Sequence, residues 1–252
     1  MTAMQLMAGK TALVTGAGSG IGAEIAREFA KQGATVWLLD KDRPALEQMR
    51  DEFQSKNVVA HICVADITRS DEVEQAIGSI HAGIESLDVL VNNAGIDPRR
   101  SFLEMTESEW THILDTNLNG AFRCTRLVVP PMVNRCSGKV INISSVTFHW
   151  GLKHLTHYVA SKGALIGFTR ALARELGEFN VHVNCITPGA ILTERESRTV
   201  TQEQADSVFQ MQSLQRRILP IDVARTCVFL ATEWSDGLSG QTINVDGGWV
   251  MH

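Results

Sequence analysis

TGAGSGIG, residues 15–22, is the stretch of this chain that decides its fold. It follows the apolar run Thr11–Thr15 and leads into Ile21–Gln32, where apolar residues recur with the period of a helix. Glycines allow a positive φ and let the backbone approach a ligand closely, and the helix N-terminus offers free N–H groups to a diphosphate. The spacing G-x-x-x-G-x-G, on the first strand–turn–helix of a parallel fold, favours a dinucleotide site over an ordinary tight turn. The residues expected to line that site are Gly16, Ser19, Gly20, Ile21 and Gly22.

The rest of the chain continues the alternation of strand and helix. Further strands are predicted at Thr35–Asp40, Val58–Val64, Leu87–Asn92, Lys139–Ser144, His182–Ile186 and Thr242–Val245. Further helices are predicted at Ala45–Ser55, Asp71–Ile84, Glu107–Val133, Val159–Leu176 and Asp222–Ala231. Strands that are apolar throughout and alternate with helices indicate a parallel sheet covered on both faces. We therefore predict an α/β fold, with one Rossmann-like domain over residues 1–252 and a doubly wound parallel sheet of about seven strands.

Composition and charge disfavour several functional classes. The chain has 252 residues, of which 44% are hydrophobic and 20% charged, as in an ordinary globular protein. A net charge of −5 without a run of basic residues disfavours nucleic-acid binding. The N-terminus lacks the pattern of a signal peptide, and no apolar stretch is long enough to span a bilayer, so we expect no membrane partner. The five scattered cysteines have no metal-binding spacing and indicate reduced thiols in a cytoplasmic protein that holds no metal.

Asp40 closes the second predicted strand, 18 residues after Gly22. A carboxylate at this place can accept hydrogen bonds from both ribose hydroxyls of NAD, and it would repel the 2′-phosphate of NADP. Ser19 stands in the loop where a basic residue would suit NADP, whereas Lys41 keeps the use of both cofactors open. The pattern favours NAD over NADP, and an acid that merely completes a strand-end turn is the alternative for Asp40.

The chain contains a single tyrosine, Tyr158, four residues before Lys162. On a helix these two positions share a face, so the ammonium group would lie near the phenol. A nearby cation favours the phenolate and lowers the pKa of a tyrosine from its ordinary value of ~10, which suits general acid–base catalysis near neutral pH. Because Tyr-x-x-x-Lys also occurs by chance, this pair alone decides nothing.

Together these features resemble the short-chain dehydrogenase/reductase family over about Lys10–Val250, which is essentially the whole chain. The resemblance rests on the order and spacing of TGAGSGIG at 15–22, NNAG at 92–95, Asn117, Ser145, Tyr158-Val-Ala-Ser-Lys162, and Pro188-Gly189 followed by Thr193. Ser145 is the serine 13 residues before Tyr158, the spacing typical of the family's catalytic serine.

The resemblance implies a role for each matched residue. Tyr158 would exchange a proton with the substrate oxygen, and Lys162 would lower the pKa of the phenol and hold the nicotinamide ribose. Ser145 would hydrogen-bond the reacting oxygen, and Asn117 would fix a water that links Lys162 to solvent. The resemblance also places Asp66 and Ile67 at the adenine, Asn93, Ala94 and Gly95 at the adenosine ribose, and Pro188, Gly189, Ile191 and Thr193 at the nicotinamide carboxamide. As alternatives, Asn93 would only satisfy strand-end backbone, and Pro188-Gly189 would be an ordinary turn.

The substrate end of the site is the least defined by sequence. The segment Val146–His157 connects Ser145 to Tyr158 and must border the reacting carbon. Candidate substrate residues are Thr147, His149, Trp150 and Arg99. His149 is interpreted as a hydrogen-bonding wall rather than a catalyst, and Trp150 as a hydrophobic wall, with plain core as its alternative. Arg99 would hold a carboxylate or hydroxyls, with a solvated surface charge as the alternative. The long connection 190–215 is interpreted as a lid that excludes water. By resemblance to the family's tetramers, the apolar C-terminus would lie at a subunit interface of a homotetramer.

The favoured function is an NAD-dependent oxidoreductase that interconverts a secondary alcohol and a ketone, or a sugar hemiacetal and its lactone. The Ser145–Phe148 region and the tail Trp249–His252 resemble members that act on aryl or pyridine-type alcohols, and sugar dehydrogenases are equally compatible. A 3-oxoacyl-[acyl-carrier-protein] reductase is the alternative, which Asp40 disfavours because such enzymes generally use NADP. A non-catalytic NAD-binding protein is the third hypothesis, disfavoured because Asn117, Ser145, Tyr158 and Lys162 are all present.

Overall fold

The computed structural model describes residues 5–194 and 201–251, without the side chains of Gln202, Gln204 and Ala205. The described residues form one seven-stranded parallel sheet with the strand order β3-β2-β1-β4-β5-β6-β7. The strands are β1 Thr11–Thr15, β2 Thr35–Asp40, β3 Ala60–Val64, β4 Val89–Asn92, β5 Gly138–Ile143, β6 Val181–Pro188 and β7 Thr242–Val245. The predicted α/β fold with a doubly wound sheet is thereby confirmed.

Helices cover both faces of this sheet. They are α1 Gly20–Lys31, α2 Arg43–Ser55, α3 Ser70–Gly83, α4 Glu107–Leu114, α5 Gly120–Asn134, α6 Thr147–Trp150, α7 Thr156–Leu176, α8 Gln202–Met211 and α9 Pro220–Ala231. A π-helical segment, Asp115–Asn119, joins α4 to α5, so the single helix predicted over Glu107–Val133 has an irregular middle. Within the described residues no helix is long and apolar enough to cross a membrane.

Each face of the sheet carries its own hydrophobic cluster. Alternate residues of β1 point to opposite faces, so Ala12 and Val14 pack with α1 and α9, while Leu13 packs with α3 and α5. Phe29 of α1 and Ile77 of α3 are among the most deeply buried side chains of the two clusters. Burial on both faces explains why the strands are apolar throughout rather than at every second residue.

The strand order reverses at β1, and this places the site. From β1 the chain moves outward through β2 to β3 and then returns to the other side of β1 as β4. The loops after β1 and β4 therefore diverge from neighbouring carboxyl ends, where open α/β sheets bind ligands. The glycine-rich loop 15–22 and the segment 92–95 lie at this edge.

Candidate active site

The glycine-rich loop is packed against the segment after β4. The Thr15 hydroxyl accepts hydrogen bonds from the backbone N–H groups of Asn93 and Ala94, at 3.0 and 3.1 Å. The Asn93 side-chain amide donates to the carbonyl oxygens of Thr15 and Gly16, at 3.0 and 3.2 Å. A β-carbon on Gly22 would lie 2.1 Å from the Gly16 carbonyl oxygen, so only glycine fits there. Asn93 therefore holds the loop in shape, and its place at the adenosine ribose stays a prediction.

The loop leaves the N-terminus of α1 open. Gly16 and Gly20 have φ of +65° and +55°, the left-handed region that favours glycine. Ser19 is the N-cap residue, but its side chain makes no capping hydrogen bond, and the first turn holds no acidic side chain. The first N–H groups of this described helix are thus available to an anion such as a diphosphate. This cradle fits the cofactor that the loop predicts.

Asp40 lies directly beside the loop. Its Oδ2 accepts a hydrogen bond from Gly18 N at 3.0 Å, and its Oδ1 accepts one from Asp42 N at 3.1 Å. The adjacent Lys41 ammonium lies 3.9 Å from Asp66 Oδ2. The carboxylate is therefore fixed at the end of β2, within the crevice, while Lys41 is oriented toward Asp66.

Asp66 and Ile67 end the segment that follows β3. Asp66 Oδ1 accepts hydrogen bonds from the Thr68 N–H at 2.9 Å and the Thr68 hydroxyl at 2.8 Å. Burial alone would raise the pKa of Asp66, but these bonds outweigh it and lower the pKa below its ordinary value. Ile67 is buried and packs on Gly120, where a β-carbon would lie 2.4 Å from Ile67 Cδ1. Both residues stand at the sheet edge expected for the adenine side.

Tyr158 and Lys162 occupy one face of α7, as predicted. Lys162 Nζ lies 5.6 Å from the centroid of the Tyr158 ring. The helix begins at Thr156 rather than at the predicted Val159, so Tyr158 stands in its first turn. The buried His157 ring accepts a hydrogen bond from Tyr158 N through Nδ1 at 2.9 Å, and burial lowers the pKa of this histidine. His157 thus supports the backbone of the tyrosine.

Lys162 is buried, with 4% of its surface exposed. Its Nζ donates a hydrogen bond to the Ile143 carbonyl oxygen at 2.8 Å. Because burial disfavours the charged form, it lowers the pKa of Lys162 from 10.5 to about 8. A β-carbon on Gly95 would lie 3.3 Å from this Nζ and 3.2 Å from Asn117 Oδ1. The glycine therefore lets the side chains of Lys162 and Asn117 approach the backbone that follows β4.

This burial predicts a pH effect on stability. The unfolded chain keeps the Lys162 proton up to its ordinary pKa of 10.5, whereas the folded chain releases it from about 8. Between these values the unfolded state binds more protons, so the contribution of Lys162 to the free energy of unfolding rises with pH, by about 3 kcal/mol in all. Urea unfolding of the ligand-free wild type and of Lys162→Met from pH 7 to 10.5 measures the difference. A difference that does not depend on pH would contradict the buried ammonium, and the same comparison in a Tyr158→Phe background removes the phenol whose pKa Lys162 is proposed to lower.

Asn117 lies in the π-helical segment and is 1% exposed. Its Nδ2 donates to the Ile96 carbonyl oxygen at 2.9 Å and to Ser161 Oγ at 3.0 Å, and its Oδ1 accepts from Ile96 N at 2.8 Å. Ser161 Oγ in turn donates to the Tyr158 carbonyl oxygen at 2.7 Å. Asn117 therefore ties the segment after β4 to the helix that carries Tyr158 and Lys162.

Ser145 follows β5 and is 7% exposed. Its Oγ accepts hydrogen bonds from Thr147 N at 3.2 Å and from Thr147 Oγ1 at 3.0 Å. The preceding Ser144 instead donates its hydroxyl proton to the Lys162 carbonyl oxygen at 2.6 Å, which is a structural contact. The catalytic role of Ser145 stays a prediction, and these contacts agree with it.

The segment after β6 closes the other side of the crevice. Pro188 ends β6, and its carbonyl oxygen accepts a hydrogen bond from Val146 N at 3.1 Å. Gly189 is required because a β-carbon there would lie 2.7 Å from Asp246 Cβ. Ile191 is buried and pairs with Ile218, and Thr193 Cγ2 would lie 3.7 Å from a β-carbon on Gly20.

The predicted lid is described only in part. Residues 195–200 of the stretch 190–215 lie outside the described residues. The remainder contains α8, and its last residues bond to the turn after β7: Leu214 N donates to the Gly247 carbonyl oxygen at 2.9 Å, and Ser213 Oγ donates to that of Gly248 at 3.1 Å. The lid stays a prediction.

The candidate substrate residues divide between two regions. Thr147, His149 and Trp150 belong to the short helix α6, immediately after Ser145. Arg99 is exposed, and its neighbour Arg100 forms an ion pair with Glu109 at 3.1 Å. The Trp150 indole contacts that of Trp249 in the tail after β7, with centroids 4.7 Å apart. This contact is absent from the sequence-based prediction, as are the roles of Thr15 and Ser161.

No three histidine, cysteine or acidic side chains within 5–194 and 201–251 are placed to hold a metal ion.

Comparison with known proteins identifies a consistent set of relatives. A family model described as enoyl-(acyl carrier protein) reductase matches residues 16–250. The 3-oxoacyl-[acyl-carrier-protein] reductase of Staphylococcus epidermidis is 36% identical over 245 residues, which cover 96% of this chain and 99% of the relative. The structure of a 7α-hydroxysteroid dehydrogenase complexed with NADH and 7-oxoglycochenodeoxycholic acid has a TM-score of 0.94 at 33% identity and covers 99% of this chain and 97% of its own. The structure of a gluconate 5-dehydrogenase from Burkholderia cenocepacia in complex with NADP and tartrate has a TM-score of 0.92 at 29% identity. The match covers 98% of this chain and 97% of the gluconate 5-dehydrogenase chain.

Proposed function

Because the chain belongs to the short-chain dehydrogenase/reductase family, we propose that it is an NAD-dependent oxidoreductase in which Tyr158 transfers the proton. Membership makes it an oxidoreductase of CH–OH and keto groups that binds a nicotinamide cofactor. The observation that carries the proposed mechanism is the buried Lys162 ammonium 5.6 Å from the Tyr158 ring. A cation held in a region of low dielectric favours the phenolate, the form that accepts a proton from an alcohol.

The proposed mechanism divides the work among four side chains. When bound, the nicotinamide accepts a hydride from the carbinol carbon or returns one to a ketone. The Tyr158 phenolate takes the hydroxyl proton during oxidation, and the phenol gives it back during reduction. Lys162 stabilises the phenolate, and Asn117 holds the segment after β4 against the helix that carries both residues. Atoms and charge balance because one hydride and one proton leave the alcohol together.

Ser145 has a defined donor role in this proposal. The two hydrogen bonds from Thr147 occupy the acceptor positions of Ser145 Oγ. The Ser145 hydroxyl is then free to donate its own proton in a hydrogen bond to the substrate oxygen. This hydrogen bond would stabilise the negative charge that develops on that oxygen. Thr147 therefore acts in this proposal as a positioning residue for Ser145.

The choice of NAD over NADP is part of the proposal and rests on Asp40. The carboxylate is fixed by Gly18 N and Asp42 N at the end of β2, where the 2′ position of the adenosine ribose would lie. A 2′-phosphate at this place would meet a like charge that cannot swing away. Solved relatives hold either cofactor, so the preference for NAD rests on Asp40 and not on the relatives.

Asp40→Asn is expected to raise the efficiency with NADP relative to NAD by at least about tenfold, because it removes the charge and keeps an acceptor for Gly18 N. Steady-state kcat/KM for both cofactors measures the ratio. Asp42→Asn is the matched control, since this exposed carboxylate caps α2 through Ala45 N. An unchanged ratio in Asp40→Asn would mean that the acid does not reach the ribose.

Two substrate classes deserve testing side by side. Identity to a 3-oxoacyl-[acyl-carrier-protein] reductase favours a 3-oxoacyl thioester as the second candidate. Relatives that act on a steroid and on gluconate favour a secondary alcohol or sugar-type substrate. A screen of NAD⁺ reduction over aryl alcohols, aldoses, polyols and 3-hydroxyacyl thioesters separates these. Turnover of none, with tight NADH binding, would favour a non-catalytic NAD-binding protein.

A homotetramer and a cytoplasmic location complete the proposal. The tetramer rests on family resemblance, and sedimentation equilibrium would test it. The location rests on the cysteine pattern, with four of the five thiols buried.

A further inference from the structure

Two aromatic side chains of α6, the helix that follows Ser145, keep much of their surface open, and a third, Trp249, is half-buried beside one of them. Phe148 is 44% exposed and Trp150 is 46% exposed, although each packs on one side against a neighbour. Phe148 covers Gly163 of α7, where a β-carbon would lie 2.5 Å from its ring. Trp150 contacts Trp249 at 4.7 Å between centroids, with ring planes tilted by 60°. Partly open indoles offer flat apolar surface to a ligand.

Trp150 is tied to the reacting centre by its place on α6. Thr147 and Trp150 are the first and last residues of this helix and are three positions apart, so they share a face. Thr147 contacts Ser145 Oγ through both its N–H and its hydroxyl. The side of α6 that touches Ser145 therefore also presents the indole.

Trp249 lies in a turn that hydrogen bonds hold in place. The buried Asp246 carboxylate accepts hydrogen bonds from Gly248 N at 2.9 Å and Val250 N at 2.8 Å. Gly247 and Gly248 have φ of +73° and +75°, a conformation that costs other residues energy. The turn thus holds the Trp249 indole against Trp150.

The same turn joins this aromatic pair to the residues that follow α8. Leu214 N and Ser213 Oγ donate to the carbonyl oxygens of Gly247 and Gly248. Apolar side chains at the end of α8 and after it are also open, with Met211 49% and Leu214 51% exposed. The turn after β7 is therefore in contact with both Trp150 and the residues that follow α8.

We infer that Trp150 and Trp249 form an aromatic wall that selects substrates with a flat apolar ring system next to the carbinol carbon. The inference rests on the proposed function, because it assumes that a carbinol carbon reacts beside Ser145 and Tyr158. It narrows the substrate class from any secondary alcohol to aryl carbinols and their ketones. Sugar acids are disfavoured at this wall because indole faces offer them no charged partner.

The test compares a bulky planar substrate, 1-(2-naphthyl)ethanol, with a small one, 2-butanol, in the full-length protein with NAD⁺. In Trp150→Ala and Trp249→Ala we expect the KM for the naphthyl alcohol to rise about tenfold, with kcat changed less than about threefold. The KM for 2-butanol should stay within about twofold. Trp234→Ala is the matched control, since this tryptophan is 59% exposed in the 3-10 helix that follows α9.

A second readout does not depend on turnover. Calorimetric titration of 2-acetonaphthone into the NADH complex of Tyr158→Phe should show binding that Trp249→Ala weakens about tenfold. The circular-dichroism exciton signal of the two indoles should disappear in Trp150→Phe and Trp249→Phe and persist in Trp234→Phe.

The outcomes separate the two levels of the proposal. If the wild type binds no NADH or oxidises no alcohol, the proposed function fails. If it oxidises alcohols but the two variants affect both substrates equally, the aromatic wall is wrong while the function stands. A change of oligomeric state without a change of substrate preference would overturn the inference in favour of an interface between copies of the chain.

Discussion

Replacing Tyr158 by Phe is expected to lower kcat by about 10³-fold or more, because general acid–base catalysis by a positioned side chain contributes rate factors of this size. Phe keeps the aromatic ring, whose centroid lies 5.6 Å from Lys162 Nζ, so the variant keeps the contact between the ring and the ammonium group. The dissociation constant for NADH should therefore stay within about threefold. Stopped-flow reduction of NAD⁺ and fluorescence titration of NADH measure the two quantities.

The control for this variant is Thr156→Ala, on an exposed residue of the same first turn of α7. Because Tyr158 is the only tyrosine, the tyrosinate absorbance of the wild type reports this phenol alone. Its alkaline titration should show ionisation below the ordinary value of ~10, and the signal should be absent in the variant. Retained turnover in Tyr158→Phe would contradict the proposed mechanism.

The parts of the fold that the sequence predicts are those set by local pattern. One example is the strand Thr11–Thr15, which is followed directly by the glycine loop and by α1. Because the three are contiguous, neighbouring residues alone predict the order of strand, turn and helix. The predicted strands match the observed ones to within a few residues at each end. Parallel pairing then follows, since strands separated by helices are joined by right-handed crossovers.

The irregular parts depend on contacts between distant residues. Helix-period apolar residues run through Glu107–Val133, yet Asp115–Asn119 is π-helical. This segment carries Asn117, whose amide is held by the backbone of Ile96 and by Ser161. The spacing of apolar residues does not reveal hydrogen bonds between distant polar groups, so the sequence could not predict this segment. π-Helical turns often occur at functional sites.

The start of α7 and the contact between Trp150 and Trp249 could not be predicted from the sequence for a similar reason. Leu155, at the N-cap, carries none of the usual capping groups, and the His157 ring accepts the Tyr158 N–H instead. Trp249 lies in a turn held by the Asp246 carboxylate, which accepts hydrogen bonds from Gly248 N and Val250 N, and there it contacts Trp150 across a long sequence separation. Motif spacing locates the reacting groups, but it says little about which side chains surround a substrate.

Gly22→Ala is expected to damage both the fold and the cofactor site, because the new β-carbon has no room. It would lie 2.1 Å from the Gly16 carbonyl oxygen and 2.4 Å from Asn93 Nδ2, and the first of these is backbone that cannot rotate aside. We expect the free energy of unfolding to fall by about 3 kcal/mol. The affinity for NADH should fall by about 100-fold, since the loop that approaches the diphosphate must shift.

Gly78→Ala is the matched control for this substitution. Gly78 lies inside α3, and a β-carbon there meets nothing within 4 Å. Alanine is favoured over glycine in a helix interior, so this variant should be about 0.5–1 kcal/mol more stable, with unchanged NADH binding. Urea unfolding of the ligand-free proteins and fluorescence titration of NADH separate the two effects. If Gly22→Ala binds NADH like the control and unfolds at the same urea concentration, then the glycine loop does not pack against Asn93 as described, and the cradle for the diphosphate must be built differently.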